Sequence, residues 1–215
     1  MNRLADLFRR EGPWAILAIW RLAVNRIALV GIRRLTGVPD VYFQGPPRII
    51  GRRFVHFGRN FQCGRGAWIE AVESADERLD TPKIVIGDDV VVSEHFHLAA
   101  IHGVRIGDGV LIGSGVLITD HAHGRYGRTQ GDLPTTPPVH RRVSSKGPVR
   151  IGRNVWIADG VKILSGVTIG DGCVIGANSV VAEDVPPNSI YSSGGPGRVV
   201  KQFDPDRQQW LAPLD

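Results

Sequence analysis

Residues 149–187 read VRIGRNVWIADGVKILSGVTIGDGCVIGANSVVAEDVPP, and a large aliphatic side chain returns at every sixth position: Ile151, Ile157, Ile163, Ile169, Ile175 and Val181. Four residues after each comes a second apolar or small residue: Val155, Val161, Val167, Cys173, Ser179 and Val185. A helix repeats its inner face every 3.6 residues and an ordinary strand every second one, so neither makes this spacing. A coil of very short strands joined by tight corners does. Each hexad is then one flat face, with residues i and i+4 pointing into a narrow interior. Gly152, Asn154, Asp159, Gly160, Gly172 and Asn178 fall at the corners, where a positive φ is needed and is cheap for Gly, Asn and Asp. The stretch predicts an all-β fold, a parallel β-helix of hexapeptide repeats, and leaves its handedness open.

Working outward, the same spacing recurs upstream. Phe57, Cys63 and Ile69 are six apart, with Phe61 and Ala67 at i+4, which starts the coil in the fifties. Ile86, Val92 and Leu98 continue it, residues 99–105 slip by two, and Ile106, Ile112 and Ile118 restore the register. Two segments lack the hexad: the charged run 74–83 and residues 119–148, rich in Gly, Pro, His and Arg. A loop of that length without its own periodicity is uncommon in a compact domain and is usually functional. After residue 187 the coil closes, and PDRQQWLAPL predicts a short capping helix begun by Asp204-Pro205. The organisation expected is an N-terminal amphipathic helical segment (1–48), a β-helix domain (49–202, with the loop 119–148) and a C-terminal capping tail (203–215).

With 215 residues, 42% hydrophobic and 22% charged, the composition is that of one globular unit. The net charge of +5 is localised, since residues 1–35 hold seven arginines against Asp6 and Glu11 and the remainder is neutral. A neutral coil argues against nucleic acid as a partner. Helix is expected in the segment 1–35, where Arg21, Asn25 and Arg26 interrupt the apolar run, so it falls short of the roughly 20 apolar residues of a membrane span. No signal peptide is read. Two roles stay open for its apolar face: a lid over the end of the coil, or a basic amphipathic helix lying on an anionic membrane surface. Cys63 and Cys173 occupy inside positions, as buried small hydrophobes rather than nucleophiles or a disulfide framework.

Chemistry is expected where the repeat is broken. Thr119-Asp120-His121-Ala122-His123-Gly124 stands at the root of the long loop, with Glu94, His95, His97 and His102 in the preceding coil. Residues about 18 apart stack in a three-hexad coil, which brings His102 near His121. An imidazole titrating near working pH can take a proton from a hydroxyl, and free amides at rigid corners can steady an oxyanion. The plainer alternative is that these histidines only hydrogen-bond the loop root.

VLITDHAHG at 116–124, the SKGPVRIGRNVWIADG return from 145, and GGPGRVVK at 194–201 resemble the hexapeptide-repeat acetyltransferases. The nearest subgroup is the bacterial O-acetyltransferases of lipopolysaccharide and exopolysaccharide biosynthesis. That resemblance implies a left-handed β-helix, a homotrimer, and acetyl-CoA as acyl donor in the groove between subunits, in the bacterial cytoplasm at or near the inner face of its membrane. It implies His121 as catalytic base, with His123 second. Coenzyme contacts carry over to Trp156, Asp159, Ala177, Ala182, Glu183, Arg198 and Lys201. Arg198 and Lys201 also suit phosphates on chemical grounds, being two cations three residues apart. Glu183 stands where the family commonly has Lys, and the tail carries one extra residue before Pro196. On the acceptor side the candidates are Glu70, Glu94, His97 and Arg141.

Transfer is expected to be direct, without an acyl-enzyme, and no metal is required. The alternative is a zinc-dependent, carbonic-anhydrase-like hydratase on the same coil, with His97, His102 and His121 as ligands. A non-catalytic ice-binding coil would show Thr-x-Thr columns, and the sequence has none. GDGVLIG and GDGCVIG lack the spacing and following helix of a dinucleotide site, so NAD is not expected.

Overall fold

The computed structural model describes residues 40–72, 83–124, 132, 135–193, 198–204, 206 and 209–211, together with Ile16 and Trp20. Each hexad is a strand of two to four residues, and successive strands fall in turn on three sheets around one interior. The first face stacks Tyr42–Phe43, Gln62–Cys63, Val91–Val92, Leu111–Ile112, Trp156–Ile157 and Val174–Ile175, all parallel and in register. The second stacks Arg48–Ile50, Trp68–Ala71, His97–Ala100, Leu117–Thr119, Lys162–Ile163 and Val180–Val181. The third stacks Val55–Phe57, Ile84–Ile86, Val104–Ile106, Val149–Ile151 and Thr168–Ile169.

Each rung satisfies its backbone on the next, as in Leu111 N donating to Val155 O (3.0 Å) and Trp156 N to Cys173 O (2.9 Å). The inward residues therefore stack on their own kind, and the predicted i and i+4 positions form one continuous core. Ser179 is also wholly buried, its hydroxyl accepting from Ser193 N at 3.1 Å. Tight stacking dictates the corners. A Cβ on Gly152 would stand 2.6 Å from the backbone nitrogen of Asp171 in the next coil, so the residue after a third-face inward isoleucine such as Ile151 must be bare. Asn154 (φ 55°) and Asn178 (φ 57°) hold the left-handed turns that follow.

Two expectations need correction. The coil begins at Tyr42, a partial turn before the fifties, because the 3-10 turn Arg52–Phe54 inserts a slip after Phe43 and Ile49 and leaves only two hexad members to read. Phe43, Phe57 and Phe61 pack there with ring centroids 5.0–5.9 Å apart and fill the first coil. The expected C-terminal helix is instead strand: Arg198–Asp204 lies antiparallel to Ser189–Ser192, and Gln209–Leu211 pairs back on it. A parallel edge is exposed at the end of the coil, and a hairpin saturates its donors and acceptors where a helix would not. The expected helices of 1–48 fall almost wholly outside the described residues; Ile16 and Trp20 are helical, with 65% and 66% of their surface exposed.

All the departures from the hexad leave the coil at one edge, between the second and third faces. The 3-10 turn 52–54, the segment 73–82, the slip at 101–103 and the loop 120–148 each follow a second-face strand and precede a third-face strand. Ile163→Ala, which removes a fully buried rung member, is expected to lower stability by about 2–5 kcal/mol. Arg150→Ala on the outer surface should stay within about 0.5 kcal/mol. Denaturant unfolding followed by circular dichroism checks the contrast.

Candidate active site

The edge where the loops gather carries a cleft of about 810 Å³ lined by His102, His121, Val143, Lys146, Leu164, Ser165 and Ala182 among others. His121 enters it two residues beyond the end of Leu117–Thr119. Thr119 fixes that turn: its hydroxyl accepts from His121 N at 3.3 Å and lies 3.3 Å from the imidazole Nδ1. Across the cleft Ala122–His123 pairs antiparallel with Val143–Ser144, and Lys146 N donates to Ser165 Oγ at 2.6 Å. The loop thus leaves and rejoins the coil through a short clamped neck.

Asp120 is the buried centre of this arrangement. Its side chain is fully enclosed, and its carboxylate accepts the amides of Ile101 (2.9 Å), His102 (2.8 Å) and Gly103 (2.7 Å), the slip in the rung before. Oδ1 also meets His121 Nδ1 at 3.1 Å. Burial alone pushes the Asp120 carboxyl up, but the hydrogen bonds from His121 and the three amides outweigh it and hold it below the ordinary carboxylate range. With Nδ1–H donating to that carboxylate, Nε2 carries the lone pair and the ring has a fixed orientation. Such a pair can accept a proton and steady the imidazolium that forms.

On the adjoining second face His97 stacks on Trp68, centroids 4.2 Å apart and planes 13° from parallel, and Arg48 covers the other side of that indole at 4.4 Å. Burial pushes the His97 imidazole down; Glu70 opposes this, and His121 and Arg48 add to it. These groups therefore share an electrostatic neighbourhood with His121. Within one chain the other predicted residues stand elsewhere. His123 points its side chain to solvent from the loop neck. Glu94, Asp159 and Ala177 occupy the opposite edge of the second face, where Asp159 accepts Ser114 N at 2.6 Å. Trp156 lies on the first face, 51% exposed between Leu111 and Val174. Ala182 lines the cleft and Glu183 follows it, exposed. Arg141 sits in the long loop, its Nε donating to Thr136 O at 2.8 Å. Arg198 and Lys201 lie on the closing strand, opposite Ser192 and Ile190; their side chains lie outside the described residues.

The structure groups His102 with His121, as the 18-residue stacking predicts, but among the described residues no three His, Cys, Asp or Glu side chains converge to hold a metal ion. The zinc set His97, His102 and His121 therefore does not fit this chain. Burial pushes the Cys63 thiol up to about 12 and raises Cys173 as well, so neither supplies a ready thiolate. Sequence reasoning gave Asp120 no role, although the signal, an acid directly before the loop-root histidine, was present. Ser165 and Lys146 were given no role either, although Lys146 falls within the SKGPV return to the coil.

Comparison with known proteins gives the family of the coil. The family described as bacterial transferase hexapeptide (six repeats) matches residues 148–183, and the hexapeptide repeat of succinyl-transferase matches 99–120. WbbJ of Escherichia coli (strain K12), named for lipopolysaccharide biosynthesis O-acetyl transfer, is 36% identical over 157 residues, covering 73% of this chain and 76% of its own. Galactoside O-acetyltransferase of the same organism is 34% identical over 77% of this chain, which spans 60% of that relative's length. Among solved structures, the N-acyltransferase AntD from Bacillus cereus, in complex with dTDP and 3-hydroxybutyryl-CoA, superposes with a TM-score of 0.59 at 20% identity, covering 78% of this chain and 82% of that one. The chain belongs to the hexapeptide-repeat acetyltransferase family. That makes it a left-handed parallel β-helix and an acyl-CoA-dependent acyltransferase.

Asp120→Asn is expected to destabilise the fold by about 1–3 kcal/mol at pH 7, because an amide nitrogen would face backbone donors and leave them unpaired. A carboxyl held below its unfolded value stabilises above that value and loses its contribution as pH falls through the folded one. The gap between wild type and Asp120→Asn in urea midpoint should therefore be full at neutral pH and close on strong acidification.

Proposed function

We propose that this chain transfers an acetyl group from acetyl-CoA to a sugar hydroxyl during assembly of a bacterial surface polysaccharide, with His121 as general base. The observation that carries it is the Asp120–His121 pair lining the cleft where every loop of the coil gathers. Nε2 takes the proton as the acceptor oxygen attacks the thioester carbonyl. The same nitrogen returns that proton to the departing coenzyme thiolate, and Asp120 stabilises the imidazolium in between. The two raised thiols support direct transfer rather than an acyl-enzyme.

The separation of the predicted coenzyme contacts supports a homotrimer. His121, Ala182 and Glu183 occupy one edge of the second face, while Asp159 and Ala177 occupy the other and Trp156 the first face. One acetyl-CoA meets both sets only in a seam where a second copy brings its first-face side to the cleft, with Arg198 and Lys201 toward the phosphates. Glu70 and His97 fit acceptor contacts from the same chain. Glu94 and Arg141 suit acceptor contacts at the neighbouring copy, and His123 is the second candidate base. WbbJ's name supports a lipopolysaccharide or exopolysaccharide acceptor.

Among the described residues no helix is long and apolar enough to cross a membrane. The basic segment 1–35 supports peripheral contact at the inner face of the cytoplasmic membrane, with the coil following from Tyr42. Removing residues 1–35 is expected to abolish co-sedimentation with anionic vesicles; equal pelleting of both forms would remove the membrane contact.

His121→Ala is expected to lower turnover by about 10²–10⁴-fold in a coenzyme-release assay against sugar acceptors, including lipid-linked ones, while calorimetric acetyl-CoA affinity stays near wild type. Survival of activity in His121→Ala with loss in His123→Ala would move the base by two residues. Retention in both would overturn the mechanism.

A further inference from the structure

Lys83 is 97% enclosed, with 3% of its surface exposed, and among the described residues no carboxylate pairs with it. A buried ammonium is expensive unless its protons are satisfied. Here Nζ donates to Val72 O (2.7 Å) and Ile101 O (2.8 Å) and lies 5.9 Å from the centre of the Phe54 ring. Val72 and Ile101 are stacked members of the same edge, so the ammonium ties the root of segment 73–82 to the slip that follows in the next coil. The second bond has a chemical consequence. The Ile101 carbonyl belongs to the peptide whose N–H is that of His102, and that N–H donates to Asp120 Oδ2 at 2.8 Å. Hydrogen bonds on the two ends of one peptide group polarise each other.

We propose that Lys83 is a positioning and tuning residue for His121, acting through a relay that runs from its ammonium through the Ile101–His102 peptide to the Asp120 carboxylate and on to His121 Nδ1. The inference rests on His121 being the base. By drawing charge from Asp120, the relay weakens the carboxylate's hold on the imidazolium. The other charged or titratable groups facing His121 are Asp120 beside it, His102 and Lys146 in the cleft, and His97 with Glu70 on the second face. Variants at Lys83 leave all of these in place.

The test is the pH profile of kcat/KM for wild type, Lys83→Gln, which keeps donors without charge, and Lys83→Arg, which keeps both. Lys83→Gln should move the acidic limb to higher pH, so that activity on that limb falls about threefold to tenfold while the alkaline plateau changes less than about twofold. Acetyl-CoA KM should hold, and Lys83→Arg should restore the limb. A uniform loss at all pH values, or a limb that stays put in Lys83→Gln, would reduce Lys83 to a structural tie and overturn the proposal. The His121 ring titration followed by NMR, assigned by its loss in His121→Ala, reads the same displacement without turnover. If His121→Ala keeps full activity, the assigned base is wrong, and the ring titration still decides the relay. The native protein supplies a check independent of folding in the variants: the His102 amide proton should resonate well downfield, and an ordinary shift would overturn the relay.

Discussion

The whole molecule depends on the distance between one coil and the next. Parallel rungs bonded through their backbones at 2.8–3.0 Å leave no choice about what stands above an inward side chain: it is the equivalent residue of the next turn. An isoleucine column is the consequence, and so is the bare glycine beside it, since Gly152 has the backbone of Asp171 within 2.6 Å of any added Cβ. On the third face two requirements, an aliphatic residue at i and no side chain at i+1, together write the IG dipeptide at Ile86, Ile106, Ile151 and Ile169.

A lattice so regular can host chemistry only where it is interrupted without being unravelled. Here the interruptions share one edge, and the last three are tied in succession by buried polar groups rather than by more coil. Lys83 joins the carbonyls of Val72 and Ile101. Asp120 gathers the amides of Ile101, His102 and Gly103. Both ions are buried, and both are satisfied by backbone groups of a slip that has lost its ladder partners. The same carboxylate that repairs this slip orients His121, so the stability of the slip and the orientation of the proposed base depend on one residue.

The contacts proposed for acetyl-CoA are divided between two edges of the chain. His121 and Ala182 line the cleft, while Trp156, Asp159 and Ala177 face away across the prism. A rigid prism cannot fold its own faces together. Under the proposed function, side chains on two of its edges act on one acetyl-CoA where copies of the chain stand side by side.

The fold was largely legible because a period of six is a pattern neither helix nor open sheet makes, and the inward residues from Phe57 to Val185 were read correctly from it. It failed at the ends, where repetition stops: Phe43 and Ile49 were too few to count as a repeat before the slip at 52–54, and the tail's composition suited a helix while the exposed edge of the coil demanded strands. The cluster of His121 and His123 could be picked out because it follows the last hexad before the loop, and the preference for His121 came from the family resemblance. The partnership of Asp120 with a turn 17–19 residues earlier, the enclosure of Lys83, and the division of the predicted contacts between two edges could not. By itself the sequence determined the repeat, its core and the place where it breaks, because those follow from local spacing. Which polar groups meet at that break was decided only by the tertiary structure, since coil pitch and the slips between rungs set which distant backbone atoms come within hydrogen-bonding reach.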